Sequence, residues 1–97
     1  MKIKAQAVNF NAQESLLEFL DKKLSKLDLF YDKIVRANVY MKLENSTDKE
    51  NKTVDIILEV PGDDLVVKKT SASFEESIDL SCEALKKMII KKKEKVS

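Results

Sequence analysis

The chain alternates apolar and polar residues at two different periods, and each change of period marks an element. In KIKAQAVNF, residues 2–10, Ile3, Ala5 and Ala7 fall on one side and Lys2, Lys4 and Gln6 on the other. That period of two predicts a half-buried strand. Leu16, Leu17, Phe19, Leu20, Leu24 and Leu27 then recur at helical spacing. Asn11, with Glu14 three residues on, reads as a capping box that starts this helix near Ala12. The helix is expected to end around Leu29 to Tyr31.

Alternation returns in IVRANVYMKLE, residues 34–44. Val35, Ala37, Val39, Met41 and Leu43 face one way, and Arg36, Asn38, Tyr40, Lys42 and Glu44 the other. A polar, turn-rich link occupies residues 45–53. TVDIILEV, residues 53–60, is a third strand with Val54, Ile56, Leu58 and Val60 inward. Pro61-Gly62-Asp63-Asp64 is a turn signal holding the only proline and the only glycine of the chain. LVVKKTS, residues 65–71, reads as a fourth, shorter strand. Ser73 to Glu76 forms a second capping box and opens the last helix. Phe74, Ile78, Cys82, Leu85 and Ile89 make its core face.

The order is β-α-β-β-β-α, an α+β fold. Strands two to four form a meander, and two amphipathic helices cover one face of a four-stranded sheet. The 97 residues are expected to form one domain, residues 1–97, with no internal repeat.

Composition narrows the chemistry. There is no histidine, so the commonest general base and a principal zinc ligand are missing. The single cysteine, Cys82, has no internal disulfide partner and lies in the apolar pattern of the last helix, where a buried inert thiol is expected. One glycine cannot build a phosphate-cradling loop. Asp63 with Asp64, and Asp48 with Glu50, sit in turn or link sequence and read as solvated carboxylates. No enzyme, metal or cofactor is expected. No apolar run approaches the length of a membrane span, and MKIKAQAV lacks the apolar core of a signal peptide, so a cytoplasmic protein is expected.

Charge is the remaining signal. The chain has 18 basic and 17 acidic residues, yet its last 15 residues, EALKKMIIKKKEKVS, hold six lysines against two acids. Acids crowd the start of the last helix (Glu75, Glu76, Asp79, Glu83) and lysines crowd its end. The helix dipole rewards that order, but only within the terminal turns. Lys22, Lys23 and Lys26 add charge beside the stripe of the first helix. If the two helices lie side by side, their basic edges combine into one surface suited to a polyanion. The absence of a DNA-reading motif, and of exposed aromatic pairs for stacking, favours backbone and shape contacts over base readout.

Two stretches then carry a resemblance that spans Ile3 to about Lys95. LLEFLDKKLSKLDLFYDKI near the start and SIDLSCEALKKMIIKKKEK at the end, at this separation and with a meander between, resemble the ribosome hibernation promoting factor and ribosome-associated inhibitor A family. Phe19, Lys23, Lys26, Leu27, Asp32 and Ile34 match in the first stretch, and Ile78, Asp79, Leu85, Lys87, Ile89, Lys91, Lys93 and Lys95 in the second. The chain departs from the family pattern at Ala84, where a lysine is usual, and at Lys86, where a glutamate or small residue is usual. It also has Phe74-Glu75 in a stretch where the family carries a tyrosine.

The resemblance implies a double-stranded-RNA-binding-domain-like fold. It implies binding to the small ribosomal subunit and its ribosomal RNA, in the mRNA and tRNA channel, with translation inhibited in stationary or stressed cells. Lys23, Lys26, Lys87, Lys91, Lys93 and Lys95 would contact RNA phosphates. Helix geometry adds Lys22 and Lys86, and last Lys92, which projects nearer the core side. Long members carry a further domain that pairs ribosomes; a chain ending at Ser97 is expected to correspond to the short form. A monomer is expected when free, with no membrane and no small-molecule substrate. Two other readings stay open: a general double-stranded-RNA-binding module, and a protein-interaction module that modulates a sigma factor.

Overall fold

The computed structural model describes residues 1–96, and side chains as far as residue 94. Its elements are β1 (Lys2–Val8), α1 (Glu14–Ser25), a 3₁₀ turn (Lys26–Leu29), β2 (Arg36–Leu43), β3 (Lys52–Val60), β4 (Asp63–Ser71) and α2 (Phe74–Val96). The β-α-β-β-β-α order follows from the alternating periods. The strands lie in the order β1-β2-β3-β4. β1 runs parallel to β2, with Ile3 opposite Ala37 and Ala7 opposite Met41. A parallel pair needs a crossover, and α1 supplies it. The other two pairings are antiparallel.

One face of the sheet is the core. Ala37, Val39 and Met41 of β2 and Val54, Ile56 and Leu58 of β3 are sealed against Leu20 and Leu24 of α1 and Ile78, Leu85 and Ile89 of α2. Each large aliphatic side chain buried in this way contributes about 1.5–3 kcal/mol over leaving it exposed. α2 lies over β3 and β4, and α1 packs beside α2. β1 forms the far edge, so Ile3 and Ala7 are half-buried and Ala5, expected inward, is exposed.

Several boundaries differ from expectation. α1 starts at Glu14, not near Ala12, and its cap position is Gln13 in an extended conformation with no side-chain cap bond. Asn9 takes a left-handed φ of 68° where the chain leaves β1. Phe10 then stacks on Phe74 of α2, ring centroids 4.4 Å apart. That tertiary stack draws the residues after β1 toward α2, so the helix begins only after them.

Val35, expected inward, is exposed; Ile34, one residue earlier, is buried instead, and β2 begins at Arg36. The link ends earlier than expected. Thr53 is a buried member of β3, its hydroxyl 2.8 Å from that of Thr70.

β4 is not the shorter strand: it has nine residues, as β3 does. Asp63 and Asp64 pair with Val60 and Glu59, so the turn shrinks to Pro61-Gly62. Gly62 has a φ of 81°, the value a type II turn asks of the residue after its proline.

The Ser73 box forms by half. The Glu76 N–H donates to Ser73 Oγ at 3.1 Å, but the Ser73 N–H goes to Ser71 Oγ at 3.4 Å rather than to the Glu76 side chain. Among the described residues no helix is long and apolar enough to cross a membrane.

Candidate nucleic-acid interface

The two helices run in the same direction. Phe10, just before α1, meets Phe74 at the start of α2. Lys23 in α1 reaches Asp79 in the second turn of α2, Nζ to Oδ1 3.1 Å. Phe30, just after the 3₁₀ turn, meets Lys86 and Lys93 toward the end of α2. The C-terminal ends of both helices, each the negative pole of its dipole, therefore point the same way, with α2 running on past the end of α1. Lys22 and Lys23 lie in the last turn of α1, level with the second turn of α2, and the α2 lysines follow from Lys86 onward. The acids Glu75, Glu76 and Asp79 sit at the opposite end of α2.

Helical geometry sorts the α2 lysines. At about 100° per residue, Lys86 and Lys93 share an edge with Asp79, the edge that faces α1. Lys87 and Lys91 share the next face round and are exposed. Among the described side chains Ile89 is the last buried one of α2, and the helix continues to Val96. Residues 90–94 carry three lysines and no buried side chain. Lys92 is half-buried, in line with its expected place nearer the core side.

The expected site residues fall into two groups. Lys22 near the end of α1 and Lys26 at the start of the 3₁₀ turn, and Lys87 and Lys91, one turn apart on α2, are exposed and have no hydrogen bond or ion pair among the described residues. The others are engaged with the protein. Lys23 pairs with Asp79 and lies 5.5 Å from the centroid of Phe19. The Lys86 ammonium sits 4.4 Å from the centroid of Phe30. The Lys93 ammonium donates to the Phe30 carbonyl oxygen at 2.7 Å. Lys95 lies outside the described side chains.

The cations of the outer sheet face behave differently. The Arg36 guanidinium lies 3.7 Å from Glu59, and Lys42 lies 3.0 Å from Asp55. Asp55, through a hydrogen bond and its charge, raises the Lys42 pKa. These two cations are already answered by carboxylates on the neighbouring strand.

Sequence reasoning missed the polar groups under α2. Ser71, Ser77 and Ser81 are buried. Ser77 donates to the Lys52 carbonyl oxygen at 2.7 Å and lies 2.8 Å from Ser71 Oγ, which also donates to the Ser73 carbonyl oxygen at 2.8 Å. Two hydroxyl protons serve three short contacts and are shared among them. This network ties the start of α2 to β3 and β4. Cys82 is half-buried; desolvation, with the Asp79 charge behind it, pushes its thiol up to about 11, so the inert thiol is the protonated one.

With this geometry in place, comparison with known proteins is direct. A ribosome hibernation promoting factor of Azotobacter vinelandii is 25% identical over 95 residues, covering 98% of this chain and 85% of the relative. One of Pseudomonas putida is 25% identical over 95 residues, covering 98% and 89%. Among solved structures, a ribosomal subunit interface protein from Coxiella burnetii superposes with a TM-score of 0.84 at 22% identity, over 96% of this chain and 98% of the other. The N-terminal domain of Protein Y from Thermus thermophilus gives 0.78 at 22% identity, over 92% and 96%. These two likenesses show that the fold is shared. Residues 3–97 match the family described as Sigma 54 modulation protein / S30EA ribosomal protein, and the chain belongs to that family.

Proposed function

We propose that this protein is a ribosome hibernation factor. It binds the small ribosomal subunit through ribosomal RNA, occupies the mRNA and tRNA channel, and inhibits translation by occlusion rather than catalysis. Family membership and the names of the two curated relatives support the ribosomal role. The observation that carries the RNA-facing part is the parallel pairing of α1 and α2, which leaves Lys22, Lys26, Lys87 and Lys91 exposed, without an ion pair among the described residues. Ammonium groups held apart on a rigid scaffold match phosphates spaced along a folded RNA, and each phosphate neutralised releases counterions.

Lys93 and Lys86 belong to the same surface, but RNA must compete with Phe30 for them. Ribosomes of the cytoplasm are the compartment this reading requires. A cell-free translation reaction tests it. Added before initiation, the protein is expected to suppress synthesis in proportion to its ratio to ribosomes. Synthesis unaffected at several-fold excess over ribosomes would refute the inhibitory role.

A further inference from the structure

The sequence offers no exposed aromatic pair for stacking, but the fold exposes one ring, Phe30, among lysines. The exit of α1 and the last turns of α2 enclose a cleft of about 560 Å³. That volume lies in the range of roughly 300–1,000 Å³ typical of sites that hold small organic groups. Phe30 and Tyr31 line it, with Leu29 beside them. Leu29 is 83% exposed and Phe30 37%. Single exposed apolar residues need no explanation, but here two stand together among ammonium groups.

Lys33, Lys92 and Lys93 line the same cleft, and Lys86 holds its ammonium against the Phe30 ring. Two acids are also present. The carboxylate of Asp28 is answered by the Met1 ammonium at 3.1 Å, which leaves Asp32 against three lysines. The lining is therefore net positive around aromatic rings. Sites for single-stranded nucleic acid have this composition: a ring takes a base by stacking, and flanking cations take the phosphates.

We propose that this cleft docks one unpaired nucleotide of an RNA, its base against Phe30 and its phosphate on the lysine rim. The inference rests on the RNA-binding reading above. It adds base contact to what is otherwise a phosphate-reading surface. It also gives the clasp between α1 and α2 a role in recognition, because the ring that receives Lys86 is the ring that receives the base.

The test uses the full chain and two labelled probes, a single-stranded RNA hexamer and the same sugar–phosphate backbone without bases, compared by fluorescence anisotropy. Stacking predicts that the base-bearing hexamer binds about fivefold or more tightly than the abasic one. Phe30→Ala should erase that difference, and abasic binding should not fall, because the ring's loss frees Lys86 for phosphate. Phe30→Leu, which keeps an apolar side chain but no ring, should do the same, and a melting curve confirms that each variant is folded. Lys87→Ala with Lys91→Ala should weaken both probes equally.

Equal affinity of the parent for the two probes would overturn the proposal, as would a difference that persists in a folded Phe30 variant. Neither probe involves a ribosome. Discrimination between the hexamers without ribosome binding keeps the cleft and removes the ribosomal reading. Ribosome binding without discrimination removes the cleft alone.

Discussion

The Lys23 ammonium lies 3.1 Å from the Asp79 carboxylate and joins the last turn of α1 to the first turns of α2. Both side chains are partly exposed, so the pair is worth about 0.2–1 kcal/mol. Its larger effect is electrostatic, because it occupies a lysine expected at the RNA surface. Asp79→Asn is expected to cost no more than about 1 kcal/mol in urea denaturation. It should raise affinity for duplex RNA in anisotropy titrations at fixed salt, since Lys23 is released and a repelling charge removed. Weaker binding would mean that Asp79 holds Lys23 where RNA needs it.

Lys87, Lys91 and Lys93 sit on the part of α2 that carries charge more than core. Replacing all three with alanine should leave the fold nearly intact, with each surface change worth within about 0.5 kcal/mol. RNA binding should fall sharply. The slope of log affinity against log salt should flatten by about 2–3, near 0.7–0.9 for each phosphate that no longer meets a lysine. An unchanged slope would make these lysines a solvated helix end.

Ser77 is fully buried and bridges Ser71 to the Lys52 carbonyl. Ser77→Ala leaves that carbonyl oxygen without its hydroxyl donor. The expected loss is about 1–3 kcal/mol of stability, read by thermal or urea unfolding. Exposed Ser25→Ala on α1 is the control and should be near neutral.

Cys82 makes stability depend on alkaline pH. Its thiol is raised from 9.0 to about 11, mainly by desolvation, then by Asp79 and against Lys23. The folded state therefore keeps the proton longer than the unfolded chain. The contribution is fully present below pH 9 and lost as pH climbs through 11. Relative to Cys82→Ala, the parent should lose up to about 2 kcal/mol across that window. A pH-independent difference between the two proteins would contradict this.

The strands were readable because alternation is local: Val39, Met41, Ile56 and Leu58 face the core as their period requires. What the sequence concealed depends on contacts between distant residues. The delayed start of α1 follows from the Phe10–Phe74 stack, and the full length of β4 from the pairing of Asp63 with Val60. Asp63 and Asp64 favour turns in isolation, and the register of β3 overrides that preference. The burial of Ser71 and Ser77 was not legible because their partners, the Lys52 and Ser73 carbonyls, are backbone groups.

The same division holds for the site. The basic character of both helices is written in the chain, whereas their shared direction is not. Nor is the engagement of Lys86 and Lys93 with Phe30, which lies far from both along the chain. Phe30 therefore read as the tail of a helix rather than the wall of a cleft.

The most direct test of the central claim is co-sedimentation of the purified protein with small ribosomal subunits, at low and moderate salt, with and without excess duplex RNA. Retention on the subunit despite the competitor, at both salts, is the result predicted for a factor seated in the decoding channel. Stripping by the competitor, or no co-sedimentation at low salt, would contradict it and leave an RNA-binding or protein-binding module that acts away from the ribosome.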